Sequence, residues 1–185
     1  ALEDEVDALI IIPNDKLLNN TKDTTILSAF AQCDEVLRQA VEGISDLITT
    51  PGLINVDFAD IKAIMANAGT ALMGIGIASG ENRATEAARM AINSPLLDVS
   101  INGARGVLFA IAGGEDMTMN EIQEAAKVIT ESVDTNAKVI FGTIIDQKLR
   151  KGEIKINVLY SEAGNVGESD VMLAAASDAI VIGFQ

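Results

Sequence analysis

Asn55, Asp57 and Asp60 lie in the stretch Asn55-Val-Asp57-Phe-Ala-Asp60-Ile-Lys, just after a turn marked by Thr50-Pro51-Gly52. Two carboxylates three residues apart fall on one face of a helix. At the first turn of that helix, unpaired N–H groups and the positive end of the dipole favour negative charge. Such a pair has two uses. Asp57 can be the N-cap and Asp60 its reciprocal partner in a capping box. Alternatively, the pair can point outward and position a water against an electrophile such as a phosphate.

Other chemistry is sparse. The chain has no histidine and a single cysteine, Cys33, so a His-based triad, a His metal cluster, a Cys-rich zinc site and a disulfide framework are excluded. Acid–base work falls to carboxylates, lysines or Tyr160. Phe30 and Asp34 are four apart and share a face if helical. They read either as a core aromatic beside a solvated acid or as a base clamp. In the clamp, the ring stacks on a purine and the acceptor-only carboxylate takes N1–H and the 2-amino group of guanine. The run Gly74-Ile-Gly76-Ile-Ala-Ser-Gly80 before a helix invites a phosphate cradle. Its spacing is G-x-G-x-x-x-G, however, and it lacks the lysine and serine of a P-loop, so close backbone packing is the competing reading.

The elements that must position these groups alternate. Val6 to Pro13 reads as a buried strand closed by Pro-Asn-Asp. Segment 23–49 carries apolar residues near helical spacing (Ile26, Leu27, Phe30, Val36, Leu37, Val41, Ile44, Leu47, Ile48), which predicts a helix of about seven turns ended at Pro51-Gly52. A helix from Asp57 to about Ala68, a strand Ala71 to Ala78 and a helix Asn82 to Ile92 follow. Then come a strand Gly106 to Ala112, a helix Met119 to Ser132, and strands Lys138 to Ile145 and Glu153 to Tyr160. A helix Ser169 to Ser177 and a strand Ala179 to Phe184 complete the chain. The pattern is that of an α/β layered fold.

At 185 residues and 49% hydrophobic, the chain can build a real core. Aromatics are 3% and the net charge is −14, which disfavours a nucleic-acid backbone or an anionic membrane as partner. The apolar runs are too short to span a bilayer and no signal peptide opens the chain, so a cytoplasmic location is expected.

Together these residues carry a resemblance. Residues 1 to about 157 resemble the second half of FtsZ, the bacterial tubulin-like cell-division GTPase. The resemblance rests on VDALIIIPNDKLL, LSAFAQCDEVLRQAVEGISDLITTPGLINVDFADIKAIM, GTALMGIGIASGENRATEAARMAINSPLL and NGARGVLFAIAGGEDMTMNEIQEAA. It implies a strand and long central helix over 1–55. A C-terminal domain with a mixed sheet packed by helices is implied over 56–157. It also implies that Phe30 and Asp34 contact guanine, and that the NVDFAD loop enters the nucleotide pocket of the next subunit in a filament. There Asn55, Asp57 and Asp60 would help to orient the attacking water. The implied partners are other FtsZ-like subunits, by self-association or at a filament end. No metal site of its own is implied; GTP or GDP with Mg belongs to the parent family.

Two departures stand beside this resemblance. The family's nucleotide-binding half would lie before Ala1, so no cofactor binding and no GTP turnover are expected of the chain alone. The alternative is a stand-alone nucleotide-binding enzyme using Gly74 to Gly80. Residues 158–185, and ESDVMLAAASDAIVIGF in particular, resemble a segment of bacterial translation initiation factor two. The expectation is therefore a chimera joined near Ile156–Val158, whose added strand–helix–strand extends the same sheet.

Overall fold

Strands and helices alternate through the computed structural model, which describes residues 5–10, 26–94, 101 and 104–161. In chain order these are β1 (Ala8–Ile10), α1 (Ile26–Thr49), α2 (Phe58–Met65), β2 (Gly69–Ser79), α3 (Arg83–Ile92), β3 (Gly106–Gly113), α4 (Met119–Thr130), β4 (Lys138–Ile145) and β5 (Glu153–Ser161). Residues 23–25 of the expected long helix, the end of the expected first strand, and the expected helix 169–177 and strand 179–184 lie outside the described residues.

The strands form one mixed sheet in the order β1-β2-β5-β3-β4. The last strand sits in its middle, antiparallel to both β2 and β3, while β1–β2 and β3–β4 pair in parallel. The mixed α/β architecture expected from the sequence is therefore the one observed. β5 keeps register with both neighbours through Ser161, so the expected junction near Ile156–Val158 falls inside an unbroken central strand.

Because side chains alternate along a strand, the sheet has two separate cores. Val107, Phe109 and Ile111 of β3 join Ile154, Ile156, Val158 and Tyr160 of β5 on one face, under α3 and α4. Leu108, Ala110 and Ala112 join Met73 and Leu159 on the other, under α1 and α2. Phe109 stacks on Phe141 of the neighbouring strand, centroids 5.1 Å apart. Burying each of these larger side chains contributes about 1.5–3 kcal/mol.

Small residues set how closely the helices approach. α3 presents Ala84, Ala87, Ala88 and Ala91, all buried, to β2. Opposite them a Cβ on Gly76 would overlap the Ala87 carbonyl and lie 2.7 Å from the Ala91 nitrogen. Gly74 and Gly76 are buried inside β2, and Gly76 serves helix–sheet packing. α2 stops at Met65 rather than near Ala68, because the chain turns into β2 through left-handed Asn67 (φ 55°) and Gly69 (φ 65°). The Gly69 amide donates to the Asp7 carbonyl at 3.1 Å, tying this turn to β1.

Candidate functional site

The acidic stretch belongs to a short connection, residues 50–57, between the end of α1 and the start of α2. Helix α1 terminates as the Thr50 amide donates to the Asp46 carbonyl at 2.9 Å. Within the turn, the Gly52 amide donates to Asn55 Oδ1 at 2.9 Å. The connection then lies along the outer edge of β4. There the Thr143 amide donates to the Ile54 carbonyl at 2.8 Å, and the Ile54 amide donates to Thr143 Oγ1 at 2.8 Å. Val56 is buried where Gly142 leaves room, a Cβ there falling 2.7 Å from its Cγ2 and 2.8 Å from Leu47 Cδ2. A sheet edge needs such cover, since it otherwise presents unpaired N–H and C=O groups.

Asp57 caps α2. The Asp60 amide donates to Asp57 Oδ1 at 2.8 Å, and the Asp57 amide donates to Asp60 Oδ2 at 3.4 Å. The reciprocal box anticipated as one use of the pair is thus formed. It takes one oxygen from each carboxylate. Both residues are exposed, and Asp57 Oδ2 and Asp60 Oδ1 stand outside the capping bonds at the positive end of α2. Capping and an outward-facing role are therefore compatible in one arrangement. Asn55 is exposed as well, with its side-chain oxygen committed to the Gly52 turn.

The other two candidates sit elsewhere. Phe30 is 60% exposed and Asp34 is exposed, both in the first half of α1. Asp34 is about 22 Å along the helix axis from Thr49, at 1.5 Å per residue. The structure therefore brings Asn55, Asp57 and Asp60 together and holds Phe30 and Asp34 apart from them. Phe30, Leu37, Val41 and Ile48 are all exposed and recur at seven, four and seven residues, forming one stripe. That stripe lies roughly a quarter turn around α1 from the buried Ala40, Gly43 and Leu47.

Next to the stripe runs a charged row. Arg38 donates to both oxygens of Glu35 (2.8 and 2.6 Å) and to Glu42 at 2.6 Å, and Lys148 reaches Glu42 from the β4–β5 turn at 3.0 Å. Hydrogen bonds from Arg38 and Gln39 lower the Glu35 carboxyl to about 2. These bonds hold the polar side of α1 in place.

Sequence reasoning missed Arg83, the most heavily bonded side chain among the described residues. Its side chain is 7% exposed, and its Nε donates to Glu121 Oε1 at 2.5 Å while Nη1 donates to Asp116 Oδ2 at 2.7 Å. Nη2 donates to the Asp116 carbonyl at 3.1 Å and to Glu121 Oε2 at 3.1 Å. Glu121 also closes the capping box of α4, accepting from the Thr118 amide at 2.8 Å. The Gly152 amide adds a bond to Asp116 at 3.2 Å. Hydrogen bonds from Arg83 hold both carboxyls below their ordinary values, and Glu121 in turn raises Arg83. The Thr118-Met-Asn-Glu121 spacing signals the capping box of α4 but not the pairing of Glu121 with Arg83. Fully paired, the trio ties α3, α4 and the β4–β5 turn together.

Asn157 points from β5 toward Gly43 of α1, beside a void of about 10 Å³ lined by Ala40, Leu47, Met73 and Leu108. Among the described residues, no group of three or more His, Cys, Asp and Glu side chains is placed to hold a metal ion. No described helix is long and apolar enough to cross a membrane.

Residues 69–164, just over half of the chain, match the FtsZ family, C-terminal domain. The match continues past the expected junction. Among solved structures, an empty FtsZ dimer from M. jannaschii superposes with a TM-score of 0.82 at 43% identity, over 91% of this chain and 48% of that one. A point variant of FtsZ from the same organism gives 0.82 at 44% identity, over 86% and 48%. CetZ2 from Haloferax volcanii, solved as a GTPγS-bound protofilament, gives 0.70 at 18% identity, over 96% and 53%, a likeness of fold. The chain spans about half the length of the solved proteins it matches.

Proposed function

The chain belongs to the FtsZ family, and from that premise we propose that it is a cytoplasmic interaction module of a cell-division GTPase, acting on nucleotide held by another subunit. The observation that carries this reading is the acidic loop. Two exposed carboxylates each keep one oxygen outside their capping bonds, on a backbone bonded to the sheet edge. Phosphoryl transfer needs mainly positioning and electrostatics. Asp57 and Asp60 supply acceptors that orient a water, and Asn55 shapes the turn that presents them.

The chain acts in trans because its described residues supply no cradle for phosphates. Gly76, within the glycine run, is packed against α3. Phe30 and Asp34 fit a partial base site, an open ring face and an acceptor-only carboxylate, toward guanine once a nucleotide-binding half is present. GTP and its Mg would arrive bound to that half, and turnover by the chain alone is absent. The exposed stripe of Phe30, Leu37, Val41 and Ile48 fits the same requirement for a partner. The partners are FtsZ-like subunits, in keeping with the dimer and protofilament forms of the matched proteins. The initiation-factor reading of the tail rests on ESDVMLAAASDAIVIGF, and any graft would begin beyond residue 164.

The test uses the full-length M. jannaschii protein with GTP, at a concentration too low for it to polymerise alone. Added chain is expected to raise phosphate release, and the D57N/D60N double variant to lower that stimulated rate about 100-fold. Light scattering that changes without any rise in phosphate release would overturn the role of the acidic pair. No change in either signal would overturn the interaction itself.

A further inference from the structure

The connection that carries the acidic pair is bonded to the edge of the sheet as well as joined to the preceding helix. We infer that Thr143 of β4 is a positioning residue for Asp57 and Asp60; this rests on the reading of the pair given above.

Thr143 is 1% exposed and lies on the edge strand of the sheet. It meets the connection with both of its available groups. Its amide donates to the Ile54 carbonyl and its hydroxyl oxygen accepts from the Ile54 amide, each at 2.8 Å. Ile54 is thereby held by a two-bond clip to a single residue. Gly52 lies flush against the same position, where any Cβ would overlap the Thr143 carbonyl and fall 2.9 Å from its Oγ1. Val56 fills the space that the preceding residue, Gly142, leaves open.

Only Asn55 and Val56 separate the clipped Ile54 from the cap at Asp57. Three residue steps span at most about 11 Å of chain. Val56 is buried, so the segment has little slack to absorb a shift. The cap therefore follows Ile54, and Ile54 follows the strand. Threonine suits this place because its β-branch fits a strand while its hydroxyl supplies the acceptor a loop amide needs. Valine keeps the shape and removes the acceptor, leaving a part-buried N–H without a partner. Serine keeps the acceptor.

The experiment compares the whole chain with T143V and T143S by amide hydrogen exchange and by the GTP-turnover assay with the M. jannaschii protein. In T143V the Ile54 amide is expected to exchange roughly tenfold faster, since a lost hydrogen bond to a buried donor is worth about a factor of ten. The Asp60 amide, bonded to Asp57, should quicken with it, while Ile129 in α4 stays unchanged. Maximal stimulated turnover should drop roughly tenfold, given how steeply rate depends on placement. T143S should restore exchange and turnover together.

Asp60 exchange that is the same in T143V and the parent overturns the inference, whatever the turnover. So does T143V turnover equal to the parent when D57N/D60N abolishes it. Stimulation that survives D57N/D60N sinks the functional reading instead. The exchange of Asp60 then decides alone whether Thr143 positions the pair.

Discussion

The acidic loop and the first half of α1 are both exposed, both carry candidate functional residues, and differ in how completely the chain finishes them. In the loop, every candidate side chain already has structural work: Asn55 closes the turn, and Asp57 and Asp60 cap α2. Its backbone is bonded to the sheet edge at Ile54. Along α1, Phe30 is 60%, Leu37 51% and Val41 62% exposed, apolar surface that nothing among the described residues covers. The loop is held in its conformation by the chain's own bonds. A region that works against another surface can leave its apolar side open until that surface arrives. The loop resembles a finished tool and the helix face half of a seat.

The largest effect expected anywhere in the molecule lies in neither region, which makes it a control for both. Replacing Arg83 by Met leaves Glu121, 17% exposed, without its charge partner inside the α3–α4 layer. Breaking such a pair costs about 3 kcal/mol, read as a fall in the urea midpoint. The pH dependence follows from the direction of the shifts. Asp116 and Glu121 have depressed carboxyl pKa values in the folded protein. Their contribution is therefore present above the unfolded carboxylate range and is lost as pH falls through the folded values. The R83M deficit should be widest near neutrality and narrow below about pH 4. At temperatures where R83M remains folded, stimulated turnover should match the parent. A parallel loss of turnover would mean the loop depends on the far face of the sheet, and the contrast between a self-held loop and the rest would fail.

A smaller effect separates the two jobs of Asp57. Asparagine is as good an N-cap as aspartate, whereas alanine is not. D57N should keep the parent's melting temperature, and D57A should lose about 1 kcal/mol of stability. Both should lose stimulated turnover, because neither carries the charge. If D57N matches D57A in stability, charge rather than hydrogen bonding holds the first turn of α2.

Much of this was legible in the residues. The spacing of Asp57 and Asp60 is a capping signal in its own right, and the structure builds the box. The order of strands and helices followed from short β-branched runs alternating with helical periodicity, and from glycine and proline punctuation. The spacing of Gly74 to Gly80 already spoke against a phosphate cradle; what it did not show was the packing partner of Gly76, alanines of α3 that lie eleven to fifteen residues away. Thr143 and Arg83 were not legible, for a common reason. Ile54 and Thr143 are 89 residues apart, and Arg83 and Glu121 are 38 apart, so no local pattern signals either pairing. The placement of β5 between β2 and β3 is likewise a long-range result that local periodicity does not contain.

The smallest effect on stability bears on the helix side of the comparison. Leu37 and Val41 already face solvent, so L37S/V41S removes no buried contact and should shift stability by no more than about 0.5 kcal/mol. Helix propensity falls slightly with serine, within the same range. The consequence should appear in association instead. Analytical ultracentrifugation of the chain, alone and mixed with the M. jannaschii protein, is expected to show weaker self-association and weaker mixed assembly for the double variant. Loss of more than about 1 kcal/mol on this substitution would show that the stripe is already packed within the chain. The first half of α1 would then be as self-contained as the loop. Unchanged association at unchanged stability would leave the acidic loop as the surface through which the module meets its partners.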